Sequence, residues 1–224
     1  MDKVLQSIYP SMTAAADFLS NTKRLVQAIE LWKECLTFLN SKHLEKENDL
    51  ARKVSMMLYS RLCRGYAAIY KLSPPIESGK KILVLLRKCN RKKQECDTAG
   101  MLATLYYQKG EYKEAQQYLQ KALTIKTEIG DKHGQASCYI KLGNVFHSVG
   151  EYVKAEEYLQ KALPLKTEIG DKHGQASCYM SLGNVFRSVG EYAKAEEYLQ
   201  KALPINTEIG DKHGQASCLS LIHI

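Results

Sequence analysis

Apolar residues from Tyr139 onward recur at helical spacing, with Tyr139, Leu142, Val145, Phe146 and Val149 standing three or four positions apart. The segment Ser148, Val149, Gly150 and Glu151 breaks the stripe. A second stripe follows: Tyr152, Ala155, Leu159, Ala162 and Leu163 share one helix face, and Lys154, Glu156, Glu157, Gln160 and Lys161 lie opposite. The pattern predicts two helices joined by a tight turn, each hiding one face.

The same pattern returns after 40 residues: aligned over Gly170 to Ile209, the stretch Gly130 to Ile169 matches at 34 of 40 positions, and a third copy starts at Gly210 and matches through Cys218. A period of this size is the mark of a solenoid, whose units bury their apolar faces only by stacking on their neighbours. Small residues fall where two helices must approach closely, at Gly143, Ala155 and Ala162. Gly150 and Gly170 follow the two helices in the place of a left-handed cap, and Asp171 is set to cap the next helix. Pro164 and Pro204 sit inside the second helix, where the missing donor predicts a kink or, alternatively, an early stop with Lys166 to Ile169 continuing as a separate turn.

Leu142, Gly143, Phe146, Gly150, Tyr152, Ala155, Leu159, Ala162 and Leu163 together resemble the tetratricopeptide signature, and Leu182, Gly183, Phe186, Gly190, Tyr192, Ala195, Leu199, Ala202 and Leu203 repeat it. The usual period of that family is roughly 34 residues. The longer unit here, with its added length in Thr167 to Gln175, resembles the Pins/LGN class. Leu102, Ala103, Tyr106, Gly110, Tyr112, Ala115, Leu119, Ala122 and Leu123 form a diverged earlier copy. The resemblance implies an all-α fold, a right-handed α-solenoid of antiparallel helical hairpins, with clear repeats over about 95–134, 135–174 and 175–214 and an incomplete one over 215–224. In residues 1–93, Leu25, Ala28, Trp32, Cys35 and Leu36 look like the second helix of a degenerate repeat, and Leu62, Tyr66, Ile69, Ile82, Leu85 and Leu86 like another hairpin. Asn40 to Asn48 reads as a polar connection, and Pro74 with Pro75 as a turn between Tyr70 and Ile76.

Charge separates these regions. Residues 1–93 carry 18 Lys and Arg against 8 Asp and Glu, or +10, whereas residues 94–224 carry 14 against 16, or −2. The chain is 45% apolar and 25% charged, as soluble globular proteins are. Its longest strongly apolar run, Ile82 to Leu86, is too short for a membrane span, so no membrane insertion is expected. Met1 to Ser20 lacks the uninterrupted apolar core of a secretory signal. The 7 cysteines are odd in number and form no CxxC pair. Both features point to reduced thiols and a cytoplasmic location.

The resemblance further implies a protein partner, an extended peptide or a helix, held on the concave face lined by the first helix of each hairpin. Those positions are Ser137, Ile140, Asn144, His147 and Ser148 in one unit and Ser177, Met180, Asn184, Arg187 and Ser188 in the next; the earlier copy supplies Asp97, Gly100, Thr104, Tyr107 and Gln108. Asn144 and Asn184 are the leading candidates, because an amide side chain both donates to and accepts from a peptide main chain. In Pins/LGN-like repeats an Asn here and an Arg three residues on contact ligand, which singles out Asn184 with Arg187 and leaves His147 as the variant of the latter. Of the 6 differences between the best two copies, Ile140/Met180, Lys141/Ser181 and His147/Arg187 all fall on the first helix.

Other chemistry finds little support. His133 with Cys138, His173 with Cys178 and His213 with Cys218 recur, but a zinc site needs about four converging ligands, and a packed thiol beside a solvated loop His accounts for each pair. No cofactor is implied. Gly79 and Lys80 lack phosphate-loop spacing, and no G-x-S-x-G appears, so an enzyme is not expected. The run Arg87, Lys88, Arg91, Lys92 and Lys93 reads as a helix end continuing into an exposed linker, without the aromatic interleaving of a nucleic-acid surface. After Cys218 the repeat gives way to Leu219, Ser220, Leu221, Ile222, His223 and Ile224. That apolar stub suggests a fragment of a longer protein or a non-native terminus, and an open solenoid end makes self-association the alternative function.

Overall fold

A computed structural model of the chain describes residue 14 and residues 25–41, 53–61 and 73–222, and every regular element among the described residues is an α-helix. The chain divides into two compact units, Met1–Lys109 and Gly110–Ile224.

The first unit contains α1 (Leu25–Ser41), α2 (residues 53–61), α3 (Ser73–Lys88) and α4 (Lys92–Gln108). Ala28, Ile29, Trp32, Cys35 and Leu36 of α1 are buried with Val54, Leu58 and Tyr59 of α2 and Ile82, Leu85 and Leu86 of α3, in one core that Met101 of α4 flanks. The expected stripes on α1 and α3 therefore face inward. Leu62, Tyr66 and Ile69 of the second proposed hairpin, and the connection from residue 42 to Asn48, lie outside the described residues. Helices α3 and α4 approach closely at Gly79, where a Cβ would stand 2.7 Å from Leu102 Cδ2.

Two sequence expectations are corrected here. Pro74 and Pro75 do not make a turn; they fall in the first turn of α3, where a backbone donor has no helical acceptor in any case and proline costs little. The basic run does not trail into a linker either. Arg87 and Lys88 end α3, a tight turn through Asn90 at φ 49 follows, and Lys92 and Lys93 open α4.

The second unit comprises α5 (Tyr112–Glu128), α6 (Lys132–Ser148), α7 (Tyr152–Glu168), α8 (Lys172–Ser188), α9 (Tyr192–Glu208) and α10 (Lys212–Ile222). Each helix from α5 to α9 packs on its successor, and α6 also touches α8. The hairpin core is Leu142, Val145 and Phe146 of α6 against Ala155, Leu159 and Ala162 of α7, all at most 4% exposed. A leucine sealed as Leu159 is contributes about 2–3 kcal/mol. Phe146 stacks on Tyr158 at 5.2 Å between centroids, and Phe186 on Tyr198 at 5.3 Å. Gly143 is small for a reason: a Cβ there would meet Leu159 Cγ at 2.7 Å.

The turns are as regular as the helices. Gly150 has φ +82; its N–H donates to the His147 carbonyl at 3.1 Å, and the Glu151 N–H donates to the Phe146 carbonyl at 2.9 Å. This is the double bond of a Schellman cap. Gly170 closes α7 likewise at φ +68. The Asp171 carboxylate then accepts from the Gly174 N–H at 2.8 Å and caps α8. Thr167 to Gln175 thus add no loop; they lengthen the last turn of α7 and the first turn of α8. Helix α7 runs unbroken past Pro164 to Glu168, so the early stop does not occur. Pro164 and Gln160 are both exposed, which lets water reach the carbonyl that the proline leaves unpaired.

Candidate partner-binding face

Two sets of groups define the face formed by α6 and α8. Asn144 and His147 stand three apart on α6, and Asn184 and Ser188 four apart on α8, so each pair shares a helix side. His147 Nε2 lies 2.8 Å from Ser188 Oγ, across the two repeats. Ser188 Oγ in turn donates to the Asn184 carbonyl at 3.0 Å, so the hydroxyl is left to accept and His147 Nε2 to donate. This bond places the Asn144 and Asn184 sides of the two helices together.

Both asparagines are half-buried, and among the described residues neither amide side chain is hydrogen-bonded. A half-buried amide normally finds a partner. Ile140 and Met180 are also half-buried, whereas Arg187 is exposed. Thr104 and Tyr107 belong to the first unit; both are exposed, and Thr104 Oγ1 donates back to the Gly100 carbonyl at 3.0 Å.

A group the hydrophobic pattern overlooked lies beside this face. Lys166, only 3% exposed, extends its ammonium to Asp171 Oδ2 at 2.7 Å and to Ser137 Oγ at 3.4 Å. The Lys166 hydrogen bond, reinforced by the Gly174 N–H, holds the Asp171 carboxyl below its usual range. Gly174 makes room for the lysine, since a Cβ there would stand 2.5 Å from Lys166 Cδ. The previous copy repeats the arrangement, with Lys126 2.9 Å from Asp131 beside Gly134. In the following copy Asn206 replaces the lysine. It is 1% exposed, and its amide lies 3.6 Å from both Met180 Sδ and Cys218 Sγ. The signal was in the sequence: Lys, Asp five residues on, and Gly three further, recurring at the repeat period.

The recurrent His and Cys separate. Cys138, Cys178 and Cys218 are buried, and burial pushes the Cys178 thiol up to about 12. His133 is not a loop residue but stands in the first turn of α6, exposed, with Nε2 3.4 Å from Asp171 of the next repeat.

Acids are absent from two helices of the second unit. Helix α6 carries Lys132, His133, Lys141 and His147, and α8 carries Lys172, His173 and Arg187, with no carboxylate on either. Their partners α7 and α9 carry Glu156, Glu157, Glu168, Glu196, Glu197 and Glu208 along with lysines. Lys132 pairs with Glu168, and Lys172 with Glu208 at 3.3 Å. No helix among the described residues is long and apolar enough to cross a membrane.

Residues 94–168 and 148–208 match the family model of the tetratricopeptide repeat. No curated protein sequence matches the chain. Among solved structures, BtubC (BKLC) from P. vanneervenii superposes with a TM-score of 0.73 at 18% identity, over 91% of this chain and 82% of that one. A Podosopora anserina putative kinesin light chain with nearly identical TPR-like repeats gives 0.68 at 17% identity, over 89% and 95%. A Rap protein complexed with Competence and Sporulation Factor gives 0.62 at 17% identity, over 93% and 62%. At these identities the likeness shows the all-α solenoid of helical hairpins.

Proposed function

As this chain belongs to the tetratricopeptide repeat family, we propose that it is a protein-interaction scaffold, not an enzyme, and that the α6–α8 face holds an extended peptide of a partner protein. One observation carries the reading: two half-buried asparagine amides, 40 residues apart on adjoining helices, have no hydrogen-bond partner among the described residues. Each amide can donate to a peptide carbonyl and accept from a peptide N–H, holding the main chain without regard to side chains. Arg187 and His147 add cationic and donor groups, and neither α6 nor α8 bears an acid, which favours ligands with carboxylates. Ile140 and Met180 supply apolar contact. The Rap structure supports the reading to the extent that a fold of this kind is seen there in complex with a factor. The Pins/LGN-like placement of Asn184 and Arg187 belongs to the same proposal.

The test is retention of partners from cell lysate by the purified chain, set beside an Asn144→Ala, Asn184→Ala variant and read by mass spectrometry. The reading requires specific proteins that the parent keeps and the variant loses, with melting nearly unchanged. Identical retention by both would overturn the face assignment.

A further inference from the structure

The first unit holds a groove of about 440 Å³ that involves none of these groups. Ile82 and Leu86 of α3, 5% and 3% exposed, and the half-buried Met56 and Met57 of α2 line it. Lys53 and Arg91, both exposed, line it too, against one carboxylate, Asp97. We propose that this groove is a second docking site, taking an acidic amphipathic helix of a partner protein whose aliphatic side chains rest on Met56, Met57, Ile82 and Leu86.

The occupant follows from three features. The lining comes from helices whose own backbone groups are already paired, so it offers no strand edge; beside the apolar side chains it carries Ser60, Gln94 and Thr98, whose hydroxyl donates to the Gln94 carbonyl at 2.9 Å, and a ligand that satisfies its own main chain, as a helix does, asks least of them. Methionine is unbranched and polarisable, which suits a wall that must fit bulky aliphatic groups. Charge then selects the sign. Arg91 stands at the start of α4, followed at once by Lys92 and Lys93, and Lys88 ends α3 nearby in sequence; all four are exposed. Glu95 in the first turn of α4 pairs with Arg87 at 2.6 Å, and the surplus of cations at this end of the groove favours an acidic partner. Among the described residues no aromatic ring lines the groove, which distinguishes it from a stacking surface for single-stranded nucleic acid.

The probe is a fluorescein-labelled synthetic peptide of about four helical turns, with leucine at i, i+3, i+4 and i+7 and glutamate on the remaining face. With the full chain we expect saturable anisotropy that weakens as salt rises from about 0.05 to about 0.3 M. The methionine methyl resonances of Met56 and Met57, assigned by single Met→Leu exchanges, should shift while that of Met180 stays in place. The exposed-site variant Lys53→Glu, Arg91→Glu should bind about tenfold more weakly at unchanged melting temperature. Absence of binding, equal binding of a lysine-for-glutamate peptide, a shift at Met180 alone, or displacement of the peptide by a single-stranded RNA that leaves Met56 and Met57 unshifted would each overturn the proposal. Because Met180 reports the α6–α8 face and Met56 the groove, failure of one site is distinguishable from failure of the other.

Discussion

The ammonium of Lys166 lies 2.7 Å from Asp171 Oδ2 with its side chain 4% exposed, so a cation is sealed at the joint between one repeat and the next. Asp171 does double duty there, since its other oxygen caps α8 through the Gly174 N–H. The pair thus ties the end of one hairpin to the start of its neighbour. Removing one member of such a pair is costly, whereas replacing both by apolar groups of like shape is often mild.

Both Lys166→Ala and Lys166→Met strip Asp171 of its cation; the alanine should destabilise the chain by about 2 kcal/mol, and the methionine, which keeps the stem packed under Gly174, by distinctly less. Urea unfolding of the two variants beside the parent checks the order. Equal losses would mean that the stem contributes nothing.

Gly174→Ala is a sharper case. Helix propensity alone would make it favourable by about 1 kcal/mol. The added Cβ, however, would stand 2.5 Å from Lys166 Cδ and 2.7 Å from Asp171 Oδ2, so we expect a net loss of about 1–3 kcal/mol. A gain in melting temperature would show that the lysine moves aside freely.

Acid should loosen the same joint. Lys166 and the Gly174 N–H depress the folded Asp171 carboxyl below its ordinary value of 3.8, and the Gly134 N–H with Lys126 does so for Asp131. A carboxyl depressed in the folded state contributes stability above its unfolded pKa and loses it as pH falls through the folded value. The parent should lose more stability than Asp171→Asn between about pH 5 and pH 2. Unfolding midpoints across that range would refute the assignment if the two curves run parallel.

Thiol chemistry should follow burial. Cys178, fully buried and raised to about 12, should resist iodoacetamide in the folded chain, while the partly exposed Cys89 reacts, as peptide mapping of the alkylated protein would report.

Much of this fold is readable from spacing alone. The stripes of α6 and α7, the small residues at Gly143 and Ala155 and the caps at Gly150 and Asp171 are local patterns, and local patterns decide local structure when every unit is packed by a near-identical neighbour. Lys166 is different. It stands among the charges of an amphipathic helix, and only the missing side chain of Gly174, eight residues on and across a turn, lets it tuck inside. Pro74 and Pro75 misled for a related reason: a proline pair reads as a break unless the start of the helix is already known. As for the α6–α8 face, the spacing of Asn144 and Asn184 marks where a main chain can be gripped, but the identity of a ligand is written in the ligand's own sequence.

Glycines of positive φ close the helices at Gly110, Gly130, Gly150, Gly170, Gly190 and Gly210, so the backbone repeats every 20 residues while the side chains repeat every 40. An unequal exchange between gene copies that adds or drops a whole unit restores both rhythms at once. One that slips by half a unit would keep the glycine turns but set Leu163 where Gly143 must stay small and Glu191 where Asp171 caps. The positions of the glycine turns would not register such a slip, whereas the packing between helices would, and variation in array length should accordingly come in whole hairpins.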